Sequence, residues 1–165
     1  MRVLILVLAV LTPALASAES AVRYAVAPAS TDAAGVSRSV RITLTLPEDA
    51  PASAITLIMP RAIPMGYGQQ PYEQFVTVTS ARSQSGAAAA VRRGEGPRWT
   101  IASADAKERI GVIEYEVDLV AMESVILSGG DSSRARDGFI SLLGYSVFAY
   151  VEGLEDRAVE VSISP

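Results

Sequence analysis

The sequence predicts an all-β protein, an antiparallel β-sandwich, on three observations. Val40 to Leu46 and Ile113 to Leu119 alternate apolar and polar residues with period two, the pattern of strands with one packed and one wet face. Further short β-rich runs recur between clusters of Gly, Pro, Asp and Ser, as sandwich strands do between their turns. Helical spacing is confined to Phe139, Leu142 and Leu143, which leaves room for at most a short helix near residues 138–144.

In chain order, Val22 to Val26 alternates weakly and forms a first strand, and Pro28 to Gly35 is a small, polar connection. Val40, Ile42, Leu44 and Leu46 then face one way, with Arg41, Thr43 and Thr45 opposite. Pro47 to Ser53 makes a turn, and the nearly continuous apolar run Ile55 to Met59 reads as a buried strand stopped by Pro60, which has no N–H for a ladder. Phe75 to Thr79 is a strand, Ser85-Gly86 a hairpin turn, and Ala87 to Val91 the return arm. A short helix is the competing reading of its four alanines.

Trp99 to Ile101 resumes a strand, and Ile110 to Ala121 is a long one. There Ile113, Tyr115, Val117 and Leu119 oppose Glu114, Glu116 and Asp118. Residues 129–138 are a loop, and Val147 to Val151 and Val159 to Ile163 close the chain as two strands. The core is expected from Ile42, Leu44, Leu57, Trp99, Ile113, Val117, Val147 and Val161.

Composition excludes several kinds of function. The 165 residues suit one domain with a real core, and half of them are apolar. A net charge of −4 argues against nucleic acid, which calls for a basic footprint. There is no cysteine and no histidine, so disulfides, thiol chemistry, His-based triads and the usual zinc sites are excluded and no cofactor is expected. Residues 1–18 read as a secretory signal peptide: Arg2, the apolar run Val3 to Val10, and Ala16-Ser17-Ala18 as a small-x-small cleavage site. The expectation is a periplasmic or secreted domain over residues 19–165 with no membrane span after cleavage, since no other apolar run is long enough.

The acids offer little chemistry. Glu114, Glu116 and Asp118 share one strand face at steps of about 6.5–7 Å, which fits a solvated sheet face better than a catalytic pair. Glu152, Glu155 and Asp156 fall in a turn, and Asp131 among serines lacks the ligands of a calcium loop. No serine sits in a nucleophile elbow, and Lys107 stands in a polar turn. Trp99, between Arg98 and Thr100, reads as core. The candidate binding residues are Pro64, Met65, Tyr67 and Tyr72. Their loop is stiffened by prolines and freed by glycines, and its tyrosines offer apolar faces plus hydroxyls. Inward packing of both rings is the alternative.

One ordered series of residues adds a family. Pro60, Pro64 and Tyr67, with Tyr72 at the following aromatic position, resemble the Pro-x-Trp-x-Pro-Gly-x-Tyr signature of the N-terminal domain of M61 (glycyl aminopeptidase family) peptidases. Ala62 stands where that family has Trp, and Met65 where it has Gly. The likeness continues through Ser85-Gly86, Arg98-Trp99, Ile113 to Val117 and Tyr150-Val151-Glu152-Gly153 to Pro165. It implies a β domain that precedes a thermolysin-like domain, where the family holds zinc on a His-Glu-x-x-His helix. No residue here corresponds to those ligands, so the resemblance implies fold and lineage, and the expectation is that the chain is not an enzyme. The first reading is a non-catalytic module for a peptide, a protein or a separately encoded peptidase partner. A truncated or split peptidase remnant comes second, and a carboxylate enzyme third.

Overall fold

The computed structural model describes residues 21–164 apart from 32, 34, 36, 51–52, 64–67, 127–129 and 137–138. The leader expected at residues 1–18 lies outside the described residues, as do Pro64, Met65 and Tyr67.

Two sheets face each other. The strands of the first half are β1 (Val22–Thr31), β2 (Ser37–Thr45), β3 (Ala54–Ile58), β4 (Val76–Ser83), β5 (Ala89–Arg93) and β6 (Arg98–Ser103), with a 3₁₀ turn, Tyr72–Phe75, leading into β4. Next come β7 (Ile110–Asp118), the helix α1 (Leu119–Val125), a small β8 (Arg134–Arg136) and β9 (Phe139–Ser141) pair, the turn α2 (Gly144–Val147), β10 (Tyr150–Val151) and β11 (Val159–Ile163). The larger sheet has the order β11-β1-β2-β7-β4 and the smaller one β10-β3-β6-β5. All pairings are antiparallel except β1 with β11, which run parallel. The fold is the all-β class that the alternation predicts.

Alternation becomes burial where both sheets overlap. Val40, Ile42 and Leu44 of β2, Leu46 just beyond it, and Ile113, Tyr115 and Val117 of β7 are buried, as are Leu57, Trp99 and Ile101 of the smaller sheet. Two buried tyrosines then fix the chain after α2. Tyr24 Oη donates to the carbonyl of Ala149 at 2.9 Å, while Tyr115 Oη donates to Val147 O and accepts from Ala149 N, both at 3.0 Å. Such partners are what keep a buried phenol and the buried backbone of a loop from being left unpaired. Burial pushes the Tyr24 hydroxyl up to about 12 and the Tyr115 hydroxyl higher still.

Two glycines shape the hairpin that joins the sheets. Gly86, with φ +90°, turns the chain between β4 and β5, where Ser83 N donates to Ala87 O at 2.8 Å. At Gly111, near the start of β7, a Cβ would stand 3.0 Å from Gln84 Cα, so a larger residue there would require Gln84 to shift.

The structure departs from the sequence expectations at several places: β1 runs on through the expected connection from Pro28 to Thr31, and β8 lies within the loop expected over residues 129–138. The β7 strand ends at Asp118, not Ala121, because the Asp118 carboxylate accepts from Ala121 N at 2.8 Å and caps the seven-residue α1. The helical turn lies at Gly144–Val147, just past the expected window, while Phe139–Ser141 pairs as a strand. That turn also shortens the strand expected over Val147–Val151 to two residues. Finally, Val161 is not core: it is 49% exposed. Its partner across the parallel pair is Tyr24, whose ring faces inward, so Val161 does lie on the inner face. The smaller sheet does not reach far enough to cover it.

Candidate functional site

Function could reside in the loop after β3, in the acids, or in the surfaces where the sheets fail to close.

The loop stands on a paired base. Ala62 bridges Gln69, Ile63 N donates to Gly68 O at 3.1 Å, and Gln70 N donates to Arg61 O at 2.9 Å. Pro64, Met65 and Tyr67 lie outside the described residues, so of the candidate binding residues only Tyr72 is placed. It is fully buried. Its hydroxyl donates to Asp131 O at 2.6 Å, and its ring tilts against Tyr145 with centroids 5.8 Å apart. Burial pushes that hydroxyl up, with Tyr145 and Asp131 adding to the effect. Tyr72 is thus a packing residue that ties the 3₁₀ turn to the chain before β8, and offers no exposed anchor. The 3₁₀ geometry is the reason, since it aims residues three apart, Tyr72 and Phe75, at the core together.

The acids are occupied structurally. Glu116 accepts from Arg41 at 2.8 Å and Glu114 from Ser80 Oγ at 2.6 Å, both on the outer face of the larger sheet. Glu123 pairs with Arg136, whose hydrogen bonds hold its carboxyl below the usual range. Among the described residues no group of three His, Cys, Asp or Glu could hold a metal. No described helix is long and apolar enough to cross a membrane.

One acid escaped the sequence reading. Glu73 is buried, 3% exposed, and bound through both carboxylate oxygens by Arg61, which reaches in from the base of the loop. Burial raises its pKa, but the Arg61 hydrogen bonds, its own backbone and the charges of Arg61 and Arg93 outweigh that and hold the carboxyl below its ordinary value. The available signal was its place directly after Tyr72 and two residues before Phe75, both of which the fold buries.

Glu73 stands at the mouth of a cleft of about 430 Å³ between the free edges β4 and β5. Val76, Val78, Val91 and Trp99 line it, and the Arg93 guanidinium lies 4.1 Å from the centre of the Trp99 ring. On the opposite flank, β11 overhangs. Val159, Val161 and Ile163 pair with the inward-facing Val22, Tyr24 and Val26, yet they are 57%, 49% and 69% exposed. Glu160, between them, turns to the outer face and pairs with Arg23 at 3.1 Å. The overhang is therefore a true continuation of the apolar inner face.

Known proteins place this arrangement. Comparison with curated proteins gives no significant match. Among solved structures, the crystal structure of an aminopeptidase N family protein from Idiomarina loihiensis superposes with a TM-score of 0.66 at 18% identity. The match covers 87% of this chain but 22% of that one, so the present fold is about a fifth of that longer polypeptide. At that identity the likeness concerns the fold alone. The sequence profile described as "Peptidase M61 N-terminal domain" matches residues 28–165, nearly everything after the first strand begins, and the chain belongs to that family.

Proposed function

We propose that the protein is an exported, non-catalytic sandwich that docks onto a metallopeptidase catalytic unit of the M61 kind, with the β11 overhang as its docking face. The observation that carries the reading is the stripe Val159, Val161 and Ile163, an inner sheet face left open to solvent. Apolar area at the edge of a core gains stability when another surface covers it, roughly 1 kcal/mol for each half-exposed aliphatic side chain. An open edge strand also offers main-chain groups to a partner, and natural folds seldom leave one both apolar and bare.

The family supports the choice of partner. The matched profile is named for the N-terminal domain of a peptidase, and the aminopeptidase N family structure carries this fold within a chain several times longer. The leader-like first 18 residues support export. Catalysis is assigned to the partner because the sequence has no histidine or cysteine, and Glu73, Glu116 and Glu123 are engaged in ion pairs with arginines.

The test is binding to the M61 catalytic unit encoded in the same genome, purified without its own N-terminal domain. Calorimetric titration should give saturable binding, weakened at least about tenfold by Val161→Asp. Because Val161 is already half exposed, that variant should melt within about 0.5 kcal/mol of the parent. No binding, binding indifferent to Val161→Asp, or a genome with no such unit would leave a remnant as the better description.

A further inference from the structure

The cleft on the other flank is a second surface, and its chemistry differs. Strands β4 and β5 are the terminal strands of the two sheets on the same side of the sandwich. They leave a common turn, where Arg82 bridges Ala88, and diverge toward the 3₁₀ turn that closes the far end. The gap between them is the cleft. Val76, Val78, Val91 and Trp99 form its apolar floor, and Glu73, Gln74, Thr77 and Arg93 complete the lining.

The two edges differ in what they offer a partner. Along β4 the pairing with β7 shifts register twice, after Val78 and after Arg82, and such irregularities blunt an edge against further pairing. Along β5 all five pairs with β6 are regular, from Ala89 with Ser103 to Arg93 with Trp99. Its side chains begin with two alanines, which leave the main chain accessible. As the terminal strand of its sheet, β5 has no strand partner on the side away from β6. A flat edge above an apolar floor is the arrangement that strand-adding peptides use: main-chain bonds give affinity, and the floor takes every second side chain.

Charge narrows the occupant. Arg93 shares the inner side of its sheet with Trp99 and lies over that ring, so its guanidinium is positioned before any ligand arrives. Arg93 Nη1 donates to a carbonyl, Glu73 O, at a long 3.5 Å. The nearby Glu73 carboxylate is already bound on both oxygens by Arg61. Arg61 and Arg93 against Glu73 leave one net positive charge at the mouth, on a protein whose total is −4. A positioned cation beside an apolar floor selects a carboxylate two residues away from apolar side chains, on the same face of an extended strand.

We infer that the cleft between β4 and β5 binds an extended peptide that adds as a strand to β5, seating apolar side chains on Val78, Val91 and Trp99 and an acidic side chain on Arg93. This surface is separate from the β11 overhang and does not depend on it.

Trp99 is the only tryptophan in the sequence and lines the cleft, so its fluorescence reports on the site directly. The probes are the peptide acetyl-Thr-Val-Thr-Glu-Thr-Val-Thr-amide, whose valines and glutamate share one strand face, its counterpart with lysine for glutamate, and a third with proline for the second valine. The glutamate peptide should change Trp99 emission saturably. The lysine peptide should bind at least about tenfold more weakly, and the proline peptide should fail, because it cannot complete the ladder. In Arg93→Gln, whose exposed side chain should not be needed for folding, the glutamate and lysine peptides should become equivalent. Three results would overturn the assignment: no saturable change up to about 1 mM peptide, equal affinities on the parent protein, or a glutamate preference that survives Arg93→Gln. The peptide titration should be untouched by Val161→Asp. A loss there would move the peptide to β11 and equally defeat the proposal, whereas failure of the peptidase test leaves this one intact.

Discussion

Glu73 shows how a single side chain takes its character from its surroundings. In the sequence it is one acid of 18 acids in an unremarked segment, and in the fold it is a buried anion between the loop base and the cleft. Its pair with Arg61 is asymmetric, 3% exposed on the acid and 37% on the base, so solvent screens the pair only from one side. The direction of the pKa shift fixes a pH dependence. A carboxyl held lower in the folded than in the unfolded state contributes stability above its ordinary pKa of about 4.3. That contribution is lost as pH falls through the depressed value in the folded protein. Thermal melts of the parent and of Glu73→Gln should accordingly differ most near neutral pH and converge as the pH is lowered below about 4. A difference independent of pH would mean that the carboxylate charge contributes nothing. Tyr72 teaches the converse: a tyrosine suited by type to recognition is here consumed by packing, its hydroxyl spent on Asp131 O.

At the scale of elements, α1 was the least legible. Apolar alternation along β7 runs on into Leu119 and Ala121, so period two alone continues the strand. The competing signal is local: Asp118 as an N-cap, then Leu119 and Met122 three residues apart and both buried. If the cap is what ends β7, Asp118→Ala should cost about 0.5–2 kcal/mol, while Asp118→Asn, which still accepts the Ala121 bond, should cost less. Equal losses in denaturant unfolding would show that the helix is held by packing alone. The long strands were readable because each has one face against the core and one against water, and Val40 to Leu46 and Ile113 to Val117 carry that difference in their residue types. The short strands β8, β9 and β10 have too few residues to show any period. The cleft was not readable at all, because Val78, Val91 and Trp99 come from three strands that only the topology brings together.

For the whole molecule, the two flanks of the sandwich are unlike each other. One closes imperfectly between β4 and β5, with a cation at its mouth; the other projects β11, with three apolar side chains, past the sheet that would cover them. Alternation assigned Val161 to the inner face correctly, but inner means buried only where an opposite sheet exists, and that depends on the width of each sheet and on no local pattern. The parallel pairing of β11 with β1 has the same origin, since strand order is settled across 137 residues between Arg23 and Glu160. On the proposed reading, the overhang of this M61 N-terminal domain is a docking face formed before the partner arrives. Amide hydrogen exchange, measured on this protein alone and mixed with the M61 catalytic unit, tests that most directly. The account predicts new protection concentrated in Val159–Ile163 and the adjoining β1, with β4 and β5 unchanged; protection elsewhere with β11 still exchanging freely would contradict it.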